Sequence, residues 1–215
     1  MARLSVTCQS GYLPSAACAL IFDGMTDSAA ETRDGFSFRA GHAALDLCAT
    51  LTGRTQPSPR DLLASSRDLE RWLKAAGLAR AASAAEDDLE IARSLRGAIY
   101  ALAVARAAGK RAPAGARSEL NGLAERPGAT LRLAEDGHLR VTGSARAMLA
   151  TLAQDAIRLL GGPLSERIRQ CESPTCSRLF LDNSRGGDRR WCSMSPCGNR
   201  AKVAEFRRRK RSGPR

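Results

Sequence analysis

Four cysteines near the end of the sequence have a spacing that specifies a chemistry. They form two close pairs, Cys171 with Cys176 and Cys192 with Cys197, and fifteen residues separate the pairs. Two such pairs can place four thiolates at the corners of a tetrahedron, which is the geometry of a structural Zn²⁺ site. Because four protein thiolates leave no open position for a water molecule, the pattern predicts one structural zinc ion.

Disulfide bonds are the alternative for the same four cysteines. The chain has 7 cysteines in 215 residues, which is far below the density of a disulfide-stapled scaffold. The apolar run near the start is short and interrupted, so it is a poor secretory signal. We therefore favour zinc over a redox pair or four unrelated buried cysteines. We expect Cys8, Cys18 and Cys48 to stay reduced in the cytoplasm.

The residues around the cysteine pairs predict what the zinc ion holds together. Residues 178–182 form a short apolar run, turn formers follow, and residues 189–191 return toward the second pair, so we expect a β-hairpin between the pairs. No helix breaker occurs from Gly198 until Ser212, and residues 198–211 are therefore expected to form a helix. Together these elements predict a treble-clef-like zinc finger with four cysteine ligands.

Most of the net charge of +12 lies in this part of the chain. Residues 161–215 contain 14 Lys/Arg against 5 Asp/Glu, whereas residues 1–160 contain 20 against 17. At 100° per residue, Arg200, Arg207 and Arg211 fall on one stripe of the expected helix. A basic module on a nearly balanced body indicates a nucleic-acid partner. The expected contact residues are Arg189, Arg190, Arg200, Arg207, Arg208, Lys210 and Arg211.

Duplex DNA is the favoured partner. The finger's aromatic residues, Phe180, Trp191 and Phe206, are interpreted as core side chains, whereas single-strand binders normally expose aromatic side chains for base stacking. RNA remains an alternative, as does docking on an acidic protein such as the transcription machinery; a solvated or membrane-attracted tail is the weakest interpretation. Arg200 lies within a turn of Cys197, so a hydrogen bond inside the finger is its alternative role.

Residues 36–160 have the pattern of a mainly α-helical body. Apolar residues at helical spacing and capping residues predict helices at 43–51, 66–76, 84–108, 113–126 and 144–160. Ser66, Ser83 and Ser144 are the expected caps, with Ser83 opening a capping box. Residues 58–63 are expected to form a turn or a short helix. Alternation in residues 130–133 and 138–142 predicts a small β-hairpin.

The expected organisation is a helical domain followed by the finger. Residues 1–34 are predicted to be disordered, and Gly161 to Pro163 are predicted to link two independently folded parts. No apolar run reaches eighteen residues, so no membrane span is expected. The predicted segments are 1–34, a helical domain at 35–162, a finger at 163–211 and a tail at 212–215.

No pattern in the sequence predicts catalysis. The two histidines, His42 and His138, are far apart and lack a second metal ligand at helical spacing. His42 and Asp46 lie four residues apart, and a local hydrogen bond accounts for the pair. The sequence contains no glycine-rich phosphate loop, GxSxG elbow or HExxH motif. We therefore expect a protein that is not an enzyme.

The cysteine segment resembles the CGNR zinc finger, whose name is the run found here at 197–200. Matching residues are Cys-x4-Cys-Ser-Arg-Leu-Phe-Leu-Asp and then Arg-Arg-Trp-Cys-Ser-Met-x2-Cys-Gly-Asn-Arg-Ala-Lys. In that family the finger usually follows a helical ABATE domain, whose opening is similar to residues 41–51, although Ala49 replaces the expected Asn. The resemblance implies a stress-related bacterial transcription regulator, nucleoid-associated when bound. Its helical domain would sense a signal or mediate assembly, for example as a homodimer.

Overall fold

The computed structural model describes residues 32–79 and 83–203, together with residue 207. Its architecture is mainly α, as predicted. The helices are α1 (Ala43–Cys48), α2 (Ser66–Ala75), α3 (Glu86–Ala107), α4 (Ala114–Ala124) and α5 (Ala145–Gly161). The strands form antiparallel pairs, namely β1 (Thr32–Arg33) with β2 (Phe36–Ser37), β3 (Leu51–Thr52) with β4 (Arg60–Asp61), β5 (Thr130–Leu133) with β6 (Leu139–Thr142), and β7 (Ile168–Gln170) with β8 (Leu179–Leu181).

The long helix α3 is the centre of the body, and α1, α2, α4 and α5 pack against it. Its predicted apolar stripe is buried over its whole length, because residues spaced by three and four share one face of a helix. The buried members are Leu89, Ala92, Leu95, Ile99, Leu102 and Ala105. Trp72 of α2 is fully buried in the same core. No helix in the described part of the chain is both long and apolar enough to cross a membrane.

The helix starts follow the capping rules with two corrections. Ser144 caps α5 as predicted, since its hydroxyl accepts a hydrogen bond from the Ala147 amide at 3.2 Å. The cap of α2 is Ser65, one residue before the predicted one. The predicted cap of α3 at Ser83 is wrong, and Ala85 occupies the cap position. Its amide donates to the Asp88 carboxylate at 3.1 Å, so the acidic residue three positions later decides where α3 begins.

The segment after α1 contains a β-pair that the sequence did not predict. Helix α1 ends at Cys48, and Leu51 then pairs with Asp61 in the β3–β4 ladder, so the turn or helix expected at residues 58–63 is wrong. The Asp61 carboxylate accepts two hydrogen bonds of 2.6 Å from Arg96 of α3. A half-buried ion pair therefore attaches this ladder to the central helix.

The hairpin predicted at residues 130–142 is confirmed. In its register Leu131 lies opposite Val141 and Leu133 lies opposite Leu139, so these four apolar side chains share one face. Leu133 is 82% exposed. The face is therefore largely open to solvent.

A second small hairpin, β1–β2, lies at the start of the described residues. It begins at Thr32, so the last residues of the segment predicted to be disordered are ordered; residues 1–31 lie outside the described part of the chain. Asp34 in its turn forms an ion pair of 2.8 Å with Arg71 of α2. The hairpin is thereby held on the helical body.

The finger and the body share a hydrophobic core. Three finger side chains, Ile168, Leu179 and Leu181, are buried against four body residues, which are Ala40, Leu45, Ala103 and Leu159. The Leu181 amide also donates to the Ala40 carbonyl at 2.7 Å. The expected flexible linker is replaced by continuous structure, because α5 runs to Gly161 and a 3₁₀ turn, Pro163–Arg167, follows after one residue.

Candidate metal centre and nucleic-acid interface

The first cysteine pair lies in the connection between β7 and β8. The hairpin predicted between residues 178–182 and 189–191 is wrong, since β8 pairs with Ile168–Gln170 upstream of the first cysteine. The Cys171 amide donates to the Arg178 carbonyl at 2.9 Å and extends this ladder toward the zinc site. The ladder takes this register because Ile168 of β7 must enter the core shared with the body.

The second cysteine pair lies around the start of the C-terminal helix. Cys192 precedes a π-helical turn, Met194–Gly198, and Cys197 lies inside that turn. Residues 199–203 and residue 207 are helical, which agrees with the predicted helix. The remaining residues of its predicted span, 204–206 and 208–211, lie outside the described part. The wider π turn brings the Cys197 thiol to the same side as the Cys192 thiol.

The four sulfur atoms converge on one point. All lie within 4.8 Å of one another, and the Cys192 Sγ is 3.7 Å from Cys197 Sγ and 3.9 Å from Cys176 Sγ. A tetrahedral ion with Zn–S bonds of about 2.3 Å requires sulfur atoms about 3.8 Å apart. The cluster therefore fits one structural zinc ion, and the four predicted ligands lie together.

Hydrogen bonds and burial within the cluster shift the pKa values of its thiols in opposite directions. A bond from the Cys192 thiol lowers the pKa of Cys176 to about 5, with further help from the Arg178 amide. The same bond and burial raise the pKa of Cys192. Burial and the neighbouring Cys176 charge raise the pKa of Cys197. Four adjacent thiolates repel one another, so full ionisation requires the metal, and zinc binding releases protons.

A small core supports the cluster. Phe180 is fully buried against Cys171, Cys192 and Cys197. The Arg189 guanidinium lies 4.8 Å from the centre of the Phe180 ring. Its Nε donates to the Trp191 carbonyl at 2.9 Å, and its Nη2 donates to the Cys192 carbonyl. The Arg189 side chain thus holds the backbone that carries the second cysteine pair.

Of the other residues predicted to contact nucleic acid, three are described, and they differ in the contacts that they make. Arg190 is exposed and forms an ion pair of 2.6 Å with Glu172. Arg200 is exposed, and its Nη1 donates to the Thr175 hydroxyl at 2.8 Å, which confirms the alternative role predicted for it. Arg207 is exposed on the helix. The other three, Arg208, Lys210 and Arg211, lie outside the described residues.

Three exposed cations of the finger were not in the predicted set, and one of them, Arg167, already donates to the Asp182 and Ser184 carbonyls. Arg185 lies in the turn after β8, and Lys202 lies in the first turn of the C-terminal helix. Within the described part of the chain neither forms an ion pair with a carboxylate. The basic balance of residues 161–215 was the only signal for them, because no periodicity singles out either residue.

The side chains of His42 and Asp46, which were expected to bond to each other, bond to other partners instead. His42 caps α1, since its Nδ1 accepts from the Ala44 amide at 3.2 Å, and its Nε2 lies 3.3 Å from the Asp155 carboxylate. Asp46 accepts instead from the Ala40 amide at 2.9 Å. The two side chains therefore do not bond to each other, and the local His42–Asp46 bond is made by the backbone, where the Asp46 amide donates to the His42 carbonyl at 2.9 Å. Each of the two residues stabilises the fold locally.

The fold and the four-cysteine centre define a zinc-finger protein in which a helical domain precedes the finger. Residues 41–163 match the ABATE family, described as "Putative stress-induced transcription regulator". Residues 167–210 match the CGNR zinc finger. Because the first match covers more than half of the 215 residues, the chain belongs to the ABATE family, as its sequence resemblance implied. Comparison with curated proteins found no significant match.

Proposed function

We propose that this protein is a bacterial transcription regulator that contacts duplex DNA through its zinc finger and works in the cytoplasm. The observation that carries the proposal is the group of exposed cations on the described finger. It includes Arg185, Lys202 and Arg207, and also Arg190 and Arg200, which bond to Glu172 and Thr175 but remain exposed. Arginine and lysine side chains in this arrangement suit phosphate oxygens. The helical domain would sense a signal or mediate assembly. We propose no catalytic activity, since four thiolates fill the zinc coordination sphere.

The zinc centre would act by fixing the direction of the C-terminal helix. Cys197 lies in the turn that opens this helix, and the Arg200–Thr175 bond of 2.8 Å ties its first turn to the first cysteine pair. Arg207 would therefore be presented at a defined angle. A positioned cation loses less conformational entropy on binding than one in a loose tail.

Arg189 would be a positioning residue in this scheme. Its guanidinium is already engaged by Phe180 and by the carbonyls of Trp191 and Cys192. A phosphate contact would have to displace these bonds. We therefore propose that Arg189 acts on DNA binding only through the zinc centre.

The test is the salt dependence of duplex binding by the zinc-loaded full chain. If about five phosphates are neutralised, log K should fall with log salt at a slope of about −4 to −5. Replacing Arg207, Arg208 and Arg211 together by Ala should flatten the slope by about 2 to 3 units. The matched control replaces three exposed arginines of the body, Arg111, Arg117 and Arg126. Wild-type affinity and slope in the finger variant would contradict the proposal.

The second candidate function is docking of the finger onto an acidic protein surface. It is favoured by two exposed apolar side chains among the finger cations, Met194 at 53% and Val203 at 48% exposure, because protein interfaces combine apolar and basic residues. The variants of the salt-dependence test also separate DNA binding from protein docking.

In this experiment, binding of duplex DNA, single-stranded DNA and RNA probes is compared at two salt concentrations. Equal weak binding of all three would favour the protein partner.

A further inference from the structure

We propose that the β3–β4 loop of the helical domain, residues 53–59, together with Arg60 at the start of β4, is a second contact for the phosphate backbone of the duplex, beside the finger. This inference rests on the proposed DNA binding and extends it from the finger to the body. Three features of the described residues carry it. They are the chemistry of the loop, the lack of a carboxylate partner for Arg54, and the series of contacts that leads from Arg54 to the finger helix.

The loop has the composition of a phosphate-binding surface. Residues 55–60 are all exposed, and no acidic residue occurs between Gly53 and Arg60. Hydroxyl, amide and guanidinium donors alternate along it, from Thr55, Gln56, Ser58 and Arg60. The Gln56 amide donates to the Gly53 carbonyl at 2.8 Å, and Gly53 has a φ of +64°, which a glycine adopts without strain. Most protein–DNA hydrogen bonds go to phosphate and sugar from donors of these kinds.

Arg54 has no carboxylate partner within the described residues. The nearest candidate is Asp61, whose two oxygens are taken by Arg96 at 2.6 Å each. Arg93 faces the same carboxylate at 3.9 Å. The hydrogen bond of Arg54 to the Cys48 carbonyl is 3.5 Å long, which is near the limit for such a bond. This half-buried guanidinium therefore has no carboxylate of its own.

A stacking contact fixes where Arg54 lies. Its guanidinium carbon is 4.0 Å from the centre of the Tyr100 ring, a distance typical of a cation–π contact. Tyr100 belongs to α3, so the stacking holds Arg54 on the central helix. The side chain is thus ordered before any ligand binds, which lowers the entropic cost of a phosphate contact.

Tyr100 also connects this site to the finger. Its hydroxyl donates to the Ser177 carbonyl at 3.1 Å, in the loop that carries the first cysteine pair. Two residues earlier, Thr175 accepts the 2.8 Å bond from Arg200 of the finger helix. This path places Arg54 and Arg200 at most about 25 Å apart. At about 3.4 Å per base pair, this separation is no longer than a duplex segment of roughly seven base pairs.

The experiment compares loop and finger variants of the zinc-loaded full chain on the same duplex of about 20 base pairs. Arg54→Ala should flatten the slope of log K against log salt by about 1 unit, and Arg54→Ala with Arg60→Ala by about 2. The matched control is Arg117→Ala with Arg126→Ala, two exposed arginines at α4 with the same loss of charge. The control pair should leave the slope unchanged.

Arg54→Lys separates a phosphate contact from a structural role. Lysine keeps the charge, so the slope of log K against log salt for Arg54→Lys should stay at the wild-type value. This holds even though the planar stacking on Tyr100 is weakened. If Arg54→Ala and Arg54→Lys both lower the melting temperature and both leave the salt slope unchanged, Arg54 is structural and the inference is overturned.

The outcomes also separate this inference from the proposed function. If the loop variants bind with wild-type affinity and slope while the finger triple variant loses both, the loop contact is wrong and DNA binding by the finger stands. If neither set of variants changes binding, the loop contact and the proposed function are both wrong. Loss of slope in both sets supports a duplex held by finger and body together.

Discussion

Replacing one finger leucine should destabilise the helical body, although that leucine lies beyond the zinc-binding loop. Leu181 of β8 is only 5% exposed and packs in the core shared with Leu45 and Leu159 of the body. Leu181→Ala removes buried apolar volume from that shared core. The free energy of unfolding of the body should then fall, because its own buried side chains lose packing contacts with the finger.

The magnitude follows from the burial of this side chain. Leucine-to-alanine changes at fully buried sites cost about 3 to 5 kcal/mol. For a chain of this size each kcal/mol lowers the melting temperature by roughly 2 to 4 °C, so a fall of roughly 6 to 20 °C is expected. Leu133→Ala is the matched control, since Leu133 is 82% exposed. Its change in the free energy of unfolding should stay within about 0.5 kcal/mol.

The assay must report on the body alone. The chain contains two tryptophans, and Trp72 is fully buried in the body whereas Trp191 lies in the finger. In a Trp191→Phe background the fluorescence of Trp72 therefore follows unfolding of the body. If Leu181→Ala leaves the Trp72 transition where it was, the finger and the body fold independently and the shared core does not couple them.

Three further outcomes are expected. Purified protein should contain one zinc per chain, and Cys192→Ser should lose it; well under one zinc in reduced wild-type protein would contradict the four-cysteine site. Arg189→Ala should weaken zinc binding, measured by competition with a chelator, because the guanidinium no longer holds the Trp191 and Cys192 carbonyls; unchanged zinc affinity would exclude that role. Burial raises the pKa of Asp46 to about 7, against the Ala40 amide and the charges of Arg178 and Arg33, which lower it. The folded state then holds a proton that the unfolded state releases above about pH 4, so stability should fall as pH rises from about 4 to about 7. Asp46→Asn should remove most of that dependence in urea melts at pH 5 and pH 8, and an unchanged dependence would show that Asp46 is not its source.

The metal ligands could be predicted because the information is local. The two cysteines within each pair are only a few residues apart. The chemistry of four thiolates then fixes the metal and its role. The amphipathic helices and the β5–β6 hairpin were also predicted, since their periodicity and turn residues lie in one continuous stretch. The cap of α3 was missed by two residues because a serine preceded the true Ala85–Asp88 pair.

The pairing inside the finger could not be read from the sequence in the same way. The partner of β8 is three residues long and lies before the first cysteine, and its choice depends on Ile168 entering a core built mainly by the body. Likewise, Arg189 and Arg190 are neighbours of the same type, yet one supports backbone carbonyls and the other pairs with Glu172. Such assignments depend on contacts between distant segments.

The shared core also makes zinc and the helical domain thermodynamic partners. Ile168, Leu179 and Leu181 cover part of the body and lie on the two strands that flank the first cysteine pair. Zinc binding is therefore expected to add to the stability of the body, and by linkage a ligand of the body whose affinity rises when zinc is bound raises the affinity for zinc by the same factor. A ligand bound by the helices would then change the metal affinity of the finger, and loss of zinc would weaken the binding of that ligand.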